Sequence, residues 1–488
     1  MQAIRWSRDS WSSRRLAALA AAALGVSAAG AATLEPDLAA RLARDQGTQR
    51  YPVILRLAQQ PDANEMAQRV AAVPQGQRGG RLLEALKAFN APLQAPLVLD
   101  LQARHAEQVV PLVTLNAIAA LLPAKDIREL AKRSDIASIR YDIGLLAPSR
   151  RPVADPCKPA RPTPRQRLPK SCRNEGRAPA AVQAAGFDAQ LPASAALQAI
   201  GAPAAWQAGY TGKGVTVAVV DTGIDASHPD LAGSFRGGAA DWFDVHGEHA
   251  RPMDRHGHGT QIAGLVSGTG ASGQTVGVAP QSRWIAARIY NDRNIGRLSQ
   301  LHRITAWLLD PDGKPATPDA PQVVLNAWGL GDRPGSCDDE FARDLRWLRA
   351  AGMHVVFAAG NGGPMENSSV SPANNAGALA VGALDGEGQM AMFSSRGVSA
   401  CDARPYPDVM APGELLRTTD LAAGSMPITT VATGTSYAAA LVSGELALLL
   451  QARPDMPMAE REALLRAVPG ETRPPLLRAL GLAPRTAP

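Results

Sequence analysis

The stretch VTVAVVDTGID, residues 215–225, decides the fold. It opens with an unbroken apolar, β-branched run, too short for a helix and without the alternation of a half-buried strand. A strand apolar on both sides is covered on both faces, the condition of a parallel sheet between helices. Three later runs have the same character: RWIAARIY (283–290), QVVLNAWG (322–329) and HVVFAAGN (354–361). Helix-like segments separate or follow them: DRHGHGTQIAGLVSG (254–268), DDEFARDLRWLRAAG (338–352) and TSYAAALVSGELALLLQA (435–452). The alternation predicts an α/β domain with a doubly wound, mostly parallel sheet over residues 196–470.

Residues 33–145 read as a separate, smaller α+β unit. YPVILRL is strand-like, RGGRLLEALKAF and APLVLDLQARHAEQV are helical, and PLVTLNAIAALLP is a strand pair turning at Asn116. AKDIRELAKR has helical spacing and IASIRYD closes the unit as a strand. The order suggests helices on one face of an antiparallel sheet. Residues 146–195 are rich in Pro and Arg, without apolar period, and are expected to be an exposed linker open to cleavage at arginine. Residues 471–488 are expected to be a short C-terminal tail.

Residues 1–32 carry Arg5, Arg8, Arg14 and Arg15 before LAALAAAALGVSAAGAA, an apolar run ending in small residues. That is the pattern of an export signal cut after Ala31 or Ala32, and the Ala-rich run is a poor membrane anchor. The formal charge of +6 does not indicate nucleic acid. The leader and the linker hold more than the whole excess, so the rest of the chain is net acidic and a phosphate-binding face is not expected. Four cysteines, Cys157, Cys172, Cys337 and Cys401, suit an exported chain with two disulfides. Of three pairings, Cys157–Cys172 with Cys337–Cys401 is the expected one.

The candidate chemistry lies at strand ends and helix starts, where an open α/β sheet collects its functional groups. Asp221 closes the first run, His258 opens a helical segment, Asn361 follows a strand, and Ser436 sits between a turn-prone lead-in and an Ala/Leu-rich helix. Alone, Ser436 reads as a helix cap and Asp221 or Asn361 as a turn former. Together they are what acyl transfer requires: a nucleophile, a base, an orienting acid and an oxyanion donor. His246, His249, His256 and His258 also raise a zinc hydrolase as a rival, though no His-Glu-x-x-His occurs.

On these residues the chain resembles the subtilisin-like serine proteases, the subtilases. DTGIDASHPDL (221–231), HGHGTQIAG (256–264) and GTSYAAALVSG (434–444) are similar to the family's Asp, His and Ser motifs. GVAP, AAGN, FSSRG and DVMAPG match in order between them. The resemblance implies a serine endopeptidase with Ser436 as nucleophile, His258 as general base, Asp221 as its partner and Asn361 in the oxyanion hole. It further implies that Ala327, Trp328 and Gly329 line one substrate edge, and Ala358, Ala359 and Gly360 the other. Residues 50–142 resemble the family's inhibitory propeptide, which implies a ferredoxin-like unit and a secreted or periplasmic, self-processing zymogen. Protein or peptide substrates and its own propeptide are the expected partners of a monomer without nucleic acid or stable membrane anchor. An inactive, subtilase-like binding protein that keeps its propeptide is the other reading.

Two residues depart from the family pattern: Tyr437 stands where Met is usual, and Ala440 where Pro is usual. No cofactor is required and no residue is assigned to a metal. Calcium stays open: Asp230 keeps a carboxylate, but GTGASGQTVG (268–277) is poor in oxygen-bearing side chains, and a hard cation wants six to eight oxygens.

Overall fold

The computed structural model describes residues 31–45, 47, 49–148, 194–331, 333–422, 429–466 and 474–483. The N-terminal elements are β1 (Thr33–Leu34), α1 (Pro36–Ala43), β2 (Arg50–Leu57), α2 (Ala63–Ala71), α3 (Gln75–Ala103), β3 (Glu107–Leu112), β4 (Ala117–Pro123), α4 (Ala124–Leu130), β5 (Ile136–Tyr141) and β6 (Gly144–Leu146). Five of the strands form one sheet in the order β1-β5-β2-β4-β3. It is antiparallel except for β1 beside β5.

The two faces of β2 do different work, as period-two alternation requires. Val53, Leu55 and Leu57 pack with Leu38, Leu97, Leu101, Ile127 and Leu130 in the unit's own core. Ile54, from the opposite face, joins Leu82, Leu83 and Leu86 in a core shared with the larger domain. Helix α3 therefore belongs to both cores, its first half facing the larger domain and its second half the small sheet.

Two separate helical stretches were expected here, and the structure has one helix of 29 residues. Pro92 and Pro96 lie within it on an exposed face. The expected helix also ran to Val109, but Glu107–Leu112 pairs with β4 through an irregular register between Glu107 and Val110. Cross-strand pairing there outweighs the local helical pattern.

The larger domain contains α5 (Ala195–Ile200), α6 (Ala202–Gln207), β7 (Thr216–Asp221), α7 (Pro229–Ala232), β8 (Trp242–Asp244), α8 (His258–Ser267), β9 (Arg283–Arg288), β10 (Ile295–Arg297), α9 (Leu298–Leu309), β11 (Val323–Asn326), α10 (Ala342–Ala350), β12 (His354–Ala358) and β13 (Leu379–Leu384). After these come β14 (Gly397–Val398), β15 (Pro405–Tyr406), β16 (Val409–Pro412), β17 (Leu416–Thr419), β18 (Thr429–Ala432), α11 (Thr435–Ala452), α12 (Met458–Leu464) and α13 (Pro475–Ala479). Seven strands make a fully parallel sheet in the order β16-β13-β12-β11-β7-β9-β8. Val217 and Val219 of β7 face a core with α8 and α11, while Ala218 and Val220 face α9 and α10. Both faces are covered, as the unbroken apolar run demands.

The chain runs from β7 to one side of the sheet and returns to β11 on the other. The carboxyl ends of β7 and β11 thus flank the point where strand order reverses, the usual crevice for a ligand.

Residues expected to be linker or tail behave differently where they are described. β6 pairs antiparallel with β10, and Ala147 N–H donates to the Asn294 carbonyl, so the chain is still held by the larger domain at residue 147. Within the expected tail, α13 buries Leu476, Ala479 and Leu480 in the core beside α5 and α6. Their apolar side chains supply the reason. Cys337 and Cys401 form a disulfide. The expected signal up to residue 30, the linker from 149 to 193 and the pairing of Cys157 with Cys172 lie outside the described residues. Among the described residues, no helix is long and apolar enough to cross a membrane.

Candidate active site

Asp221 is the last residue of β7 and is 1% exposed. His258 is the first residue of α8. Its Nδ1 lies 2.8 Å from Asp221 Oδ1 and 3.0 Å from Oδ2. Glycines make this approach close: a Cβ at Gly259 would stand 2.0 Å from the Gly223 carbonyl oxygen and 3.2 Å from the Asp221 Cβ. Gly223 has φ of 110°, and a Cβ there would meet the Met253 carbonyl at 1.9 Å. The first turn of α8 can only nest against the Asp221 loop if both positions lack a side chain.

Asp254 holds that loop. Its Oδ1 accepts from the N–H groups of His256 and Gly257, each at 2.8 Å, and from Thr222 Oγ1 at 3.1 Å. Its Oδ2 accepts from Thr260 Oγ1 at 2.7 Å and from the Thr260 N–H at 3.1 Å. Thr222 Oγ1 in turn accepts from the Gly259 N–H at 2.9 Å. One buried carboxylate thus ties the Asp221 turn to the start of the His258 helix. Sequence reasoning missed Asp254. Its signal was its place a few residues ahead of a helix start, where acidic residues satisfy first-turn donors.

Ser436 is the second residue of α11 and 8% exposed. Its hydroxyl donates to the Ala327 carbonyl at 3.1 Å, which joins it to the residue following β11. Tyr437 lies edge-on to the His258 imidazole, ring centroids 5.8 Å apart, and its hydroxyl donates to Gln261 Oε1 at 2.8 Å. The residue beside Ser436 thus touches the imidazole that Asp221 holds. Gly434, before the helix, has φ 153° and ψ 161°, a conformation open essentially to glycine alone.

Asn361 follows the end of β12. Its Oδ1 accepts from both the N–H and the hydroxyl of Thr435, each at 3.0 Å. A carbonyl end fixed in this way leaves the amide NH₂ on the side of Gly434, where a Cβ would lie 3.5 Å from Nδ2. Ala358, Ala359 and Gly360 lead into Asn361. Gly360 N–H donates to Thr435 Oγ1 at 3.1 Å, and Tyr406 OH donates to the Ala359 carbonyl at 2.6 Å. Trp328 differs from its neighbours Ala327 and Gly329: its indole is buried between Phe341 and Phe357 in the core toward α9 and α10. It offers the sheet edge its backbone and not its ring.

The expected histidine cluster does not converge on one point. His246 Nε2 lies 2.8 Å from the Ile289 carbonyl oxygen and its Nδ1 3.2 Å from Gln300 Nε2, so both ring nitrogens are engaged. His249 bonds Asp292 at 2.9 Å, while His258 bonds Asp221. Asp244, Glu248 and His249 do lie close together. Buried Arg288 already fills that acidic group, at 3.0 Å from Asp244, 2.8 Å from Glu248 and 2.6 Å from Asp292. The zinc reading is overturned by these separate partners. Asp230 is equally committed: Ser272 donates to its two oxygens through N–H at 2.9 Å and Oγ at 2.6 Å.

The Subtilase family model matches residues 212–478, more than half of the chain. This chain belongs to the subtilase family. It is 35% identical over 257 residues to subtilisin of Bacillus pumilus, covering 52% of this chain and 83% of that one. It is also 35% identical to Bacillopeptidase F and to serine protease AprX of Bacillus subtilis strain 168. Those matches cover 54% and 52% of this chain, but only 19% and 61% of the relatives' own lengths. The parallel sheet and its helices are the α/β fold of subtilisin.

Proposed function

We propose that this subtilase is a serine endopeptidase that hydrolyses peptide bonds through an acyl-enzyme on Ser436. The observation that carries the reading is the 2.8 Å bond from Asp221 to His258, with Ser436 in the first turn of α11, which packs against the His258 helix. Asp221 keeps the imidazole in one tautomer, with Nδ1–H donated to the carboxylate, and Nε2 is the atom that takes the Ser436 proton. Ser436 Oγ attacks the carbonyl carbon, and the oxyanion is met by Asn361 Nδ2 and the Ser436 backbone N–H. His258 then returns the proton to the leaving amine, and water repeats the cycle on the ester. The edges at Ala327–Gly329 and Ala358–Gly360 pair with an extended peptide through main-chain bonds, which tolerate many sequences.

The N-terminal unit fits the part of an inhibitory propeptide with a ferredoxin-like fold. Its four antiparallel strands have the order β5-β2-β4-β3, the split βαβ arrangement. It is held by a buried ionic contact described below. On this reading residues 1–32 are an export signal and the product is secreted or periplasmic. The zymogen cuts itself somewhere between residues 142 and 195, and the catalytic domain follows, with α13 (Pro475–Ala479) packed in its core. The test compares the full chain with Ser436→Ala. The active protein should lose its N-terminal unit, react with a fluorophosphonate and hydrolyse casein, and the variant should do none of these. Retention of the unit by both, with no casein hydrolysis by either, would leave an inactive binding protein instead.

A further inference from the structure

The segment DPDGKPATPD, residues 310–319, connects α9 to β11 and carries three carboxylates. Oxygens of Asp310, Asp312 and Asp319 lie within 4.8 Å of one another. That is the span across a calcium ion, whose bonds to oxygen are about 2.3–2.6 Å long. Asp310 is the decisive member. It is 5% exposed, and both of its carboxylate oxygens are buried without a hydrogen-bond partner among the described residues. A carboxylate so placed has lost its water with at most the Lys314 backbone N–H reaching toward it in exchange, which is costly unless a cation faces it.

Among the described residues, no side-chain cation fills the group as Arg288 fills the one at Asp244. Lys314 Nζ is 3.8 Å from Asp312 Oδ2 on a side chain 77% exposed. Arg236 reaches the segment, but donates to the Asp319 backbone carbonyl and pairs with Asp241. Lys87 of α3 acts on Asp310 from a distance.

We propose that Asp310, Asp312 and Asp319 form a binding site for one calcium ion. The donors are oxygens alone, without nitrogen or sulfur, which disfavours zinc. Three carboxylates leave room for water and for backbone carbonyls in a shell of six to eight, whereas magnesium would demand a tighter octahedron. The site is independent of Ser436. It underlies the N-terminal unit, because a Cβ at Gly79 would touch the Leu309 carbonyl and one at Gly80 the Pro315 Cα.

The test uses the full chain carrying Ser436→Ala, so that self-digestion does not intervene, with calcium chloride and magnesium chloride as probes. Calorimetry should show one calcium ion bound per chain, and the unfolding temperature should rise with calcium more than with equimolar magnesium. Asp310→Asn and Asp319→Asn should each weaken calcium binding by at least about tenfold. Asp310→Asn should also unfold at a higher temperature than its parent in chelator, since it removes an unpaired buried charge. If Asp310→Asn does not fold, Asp319→Asn decides alone. No calcium-dependent shift in the parent, or an undiminished response in the folded variants, overturns the proposal.

Discussion

Arg140, in the N-terminal unit, donates to Glu340 of the larger domain at 2.7 Å, and their side chains are 9% and 1% exposed. Arg56 reaches the same oxygen at 2.7 Å, and Asp338 takes the other arm of Arg140 at 3.0 Å. Glu340 also faces His302 Nε2 at 3.2 Å, whose Nδ1 bonds Asp344, and Asp344 accepts from Thr114 of the N-terminal unit at 2.7 Å. Removing one member of a buried pair leaves the other charge uncompensated, at a cost of about 3–5 kcal/mol. Arg140→Ala in the Ser436→Ala background should therefore loosen the N-terminal unit. After the linker is nicked with an arginine-directed protease, gel filtration should show the unit dissociating from the variant while the parent retains it.

The same group sets a pH response. Burial alone would raise Glu340, but the His302 hydrogen bond and the charges of His302, Arg140 and Arg56 bring it down to about 2. Burial alone would lower His302, but Asp344 and Glu340 raise it to about 10. A carboxyl held below its usual value stabilises fully above that value and loses the effect as pH falls through the lowered one. A histidine held above its usual value does the reverse, stabilising fully below its ordinary range and fading as pH rises through the raised one. The network is thus strongest between about pH 4.5 and 6.5 and fades toward pH 2 and pH 10. In melting curves of the Ser436→Ala protein, the deficit caused by Glu340→Gln should be largest in that window and shrink on the acid side. A deficit unchanged from pH 6 to pH 2.5 would contradict the assignment.

Asn361 is held by its oxygen, so on the proposed mechanism its loss removes an oxyanion donor without moving the imidazole. Asn361→Ala should lower kcat by about 10²–10³-fold with little change in KM; this magnitude is known from subtilisin itself, a relative, and is carried over to this residue. Burst-phase titration with an activated ester would check that the fraction of reactive Ser436 is unchanged.

Asp254 acts through other residues. Asp254→Ala strands three backbone N–H groups and two hydroxyls around the His258 turn, and hydrogen bonds to a charged acceptor are worth about 1.5–3 kcal/mol each, not additively. The variant should melt several degrees lower and lose most of its activity. Asp254→Asn keeps one acceptor and should recover part of both, a graded response that distinguishes positioning from direct chemistry.

What was legible in the sequence follows from how local each signal is. The strand at 216–221 and the helix starts at 258 and 435 are marked by continuous apolar runs and small residues, and their positions in the chain carry Asp221, His258 and Ser436 with them. Asp254 was legible only in part: four of its donors lie on residues 256–260 at the helix start, but its tie to Thr222 exists only when the two loops meet. The single α3 was hidden by Pro92 and Pro96, which read as breaks in a chain without neighbours. The inward turn of Trp328 depends on Phe341 and Phe357, and the separate placing of His246, His249 and His258 on Ile289, Asp292 and Asp221, all distant in sequence. Burial of α13 likewise depends on α5 and α6, more than 260 positions earlier.

Gly79 offers the sharpest test of how the N-terminal unit is seated. A Cβ there would stand 2.2 Å from the Leu309 carbonyl oxygen and 3.2 Å from its Cα, contacts with backbone that no rotamer change relieves. Alanine is otherwise the better helix residue, by about 1 kcal/mol. The two effects therefore have opposite signs in the two states of the protein. Gly79→Ala should strengthen α3 itself yet push the unit off its ledge, so that the nicked Ser436→Ala protein releases it while the released fragment is at least as helical as the parent fragment by circular dichroism. Release without gain or loss of helix would locate the fault at the contact; unchanged retention would show that α3 does not sit this close to Leu309 in solution.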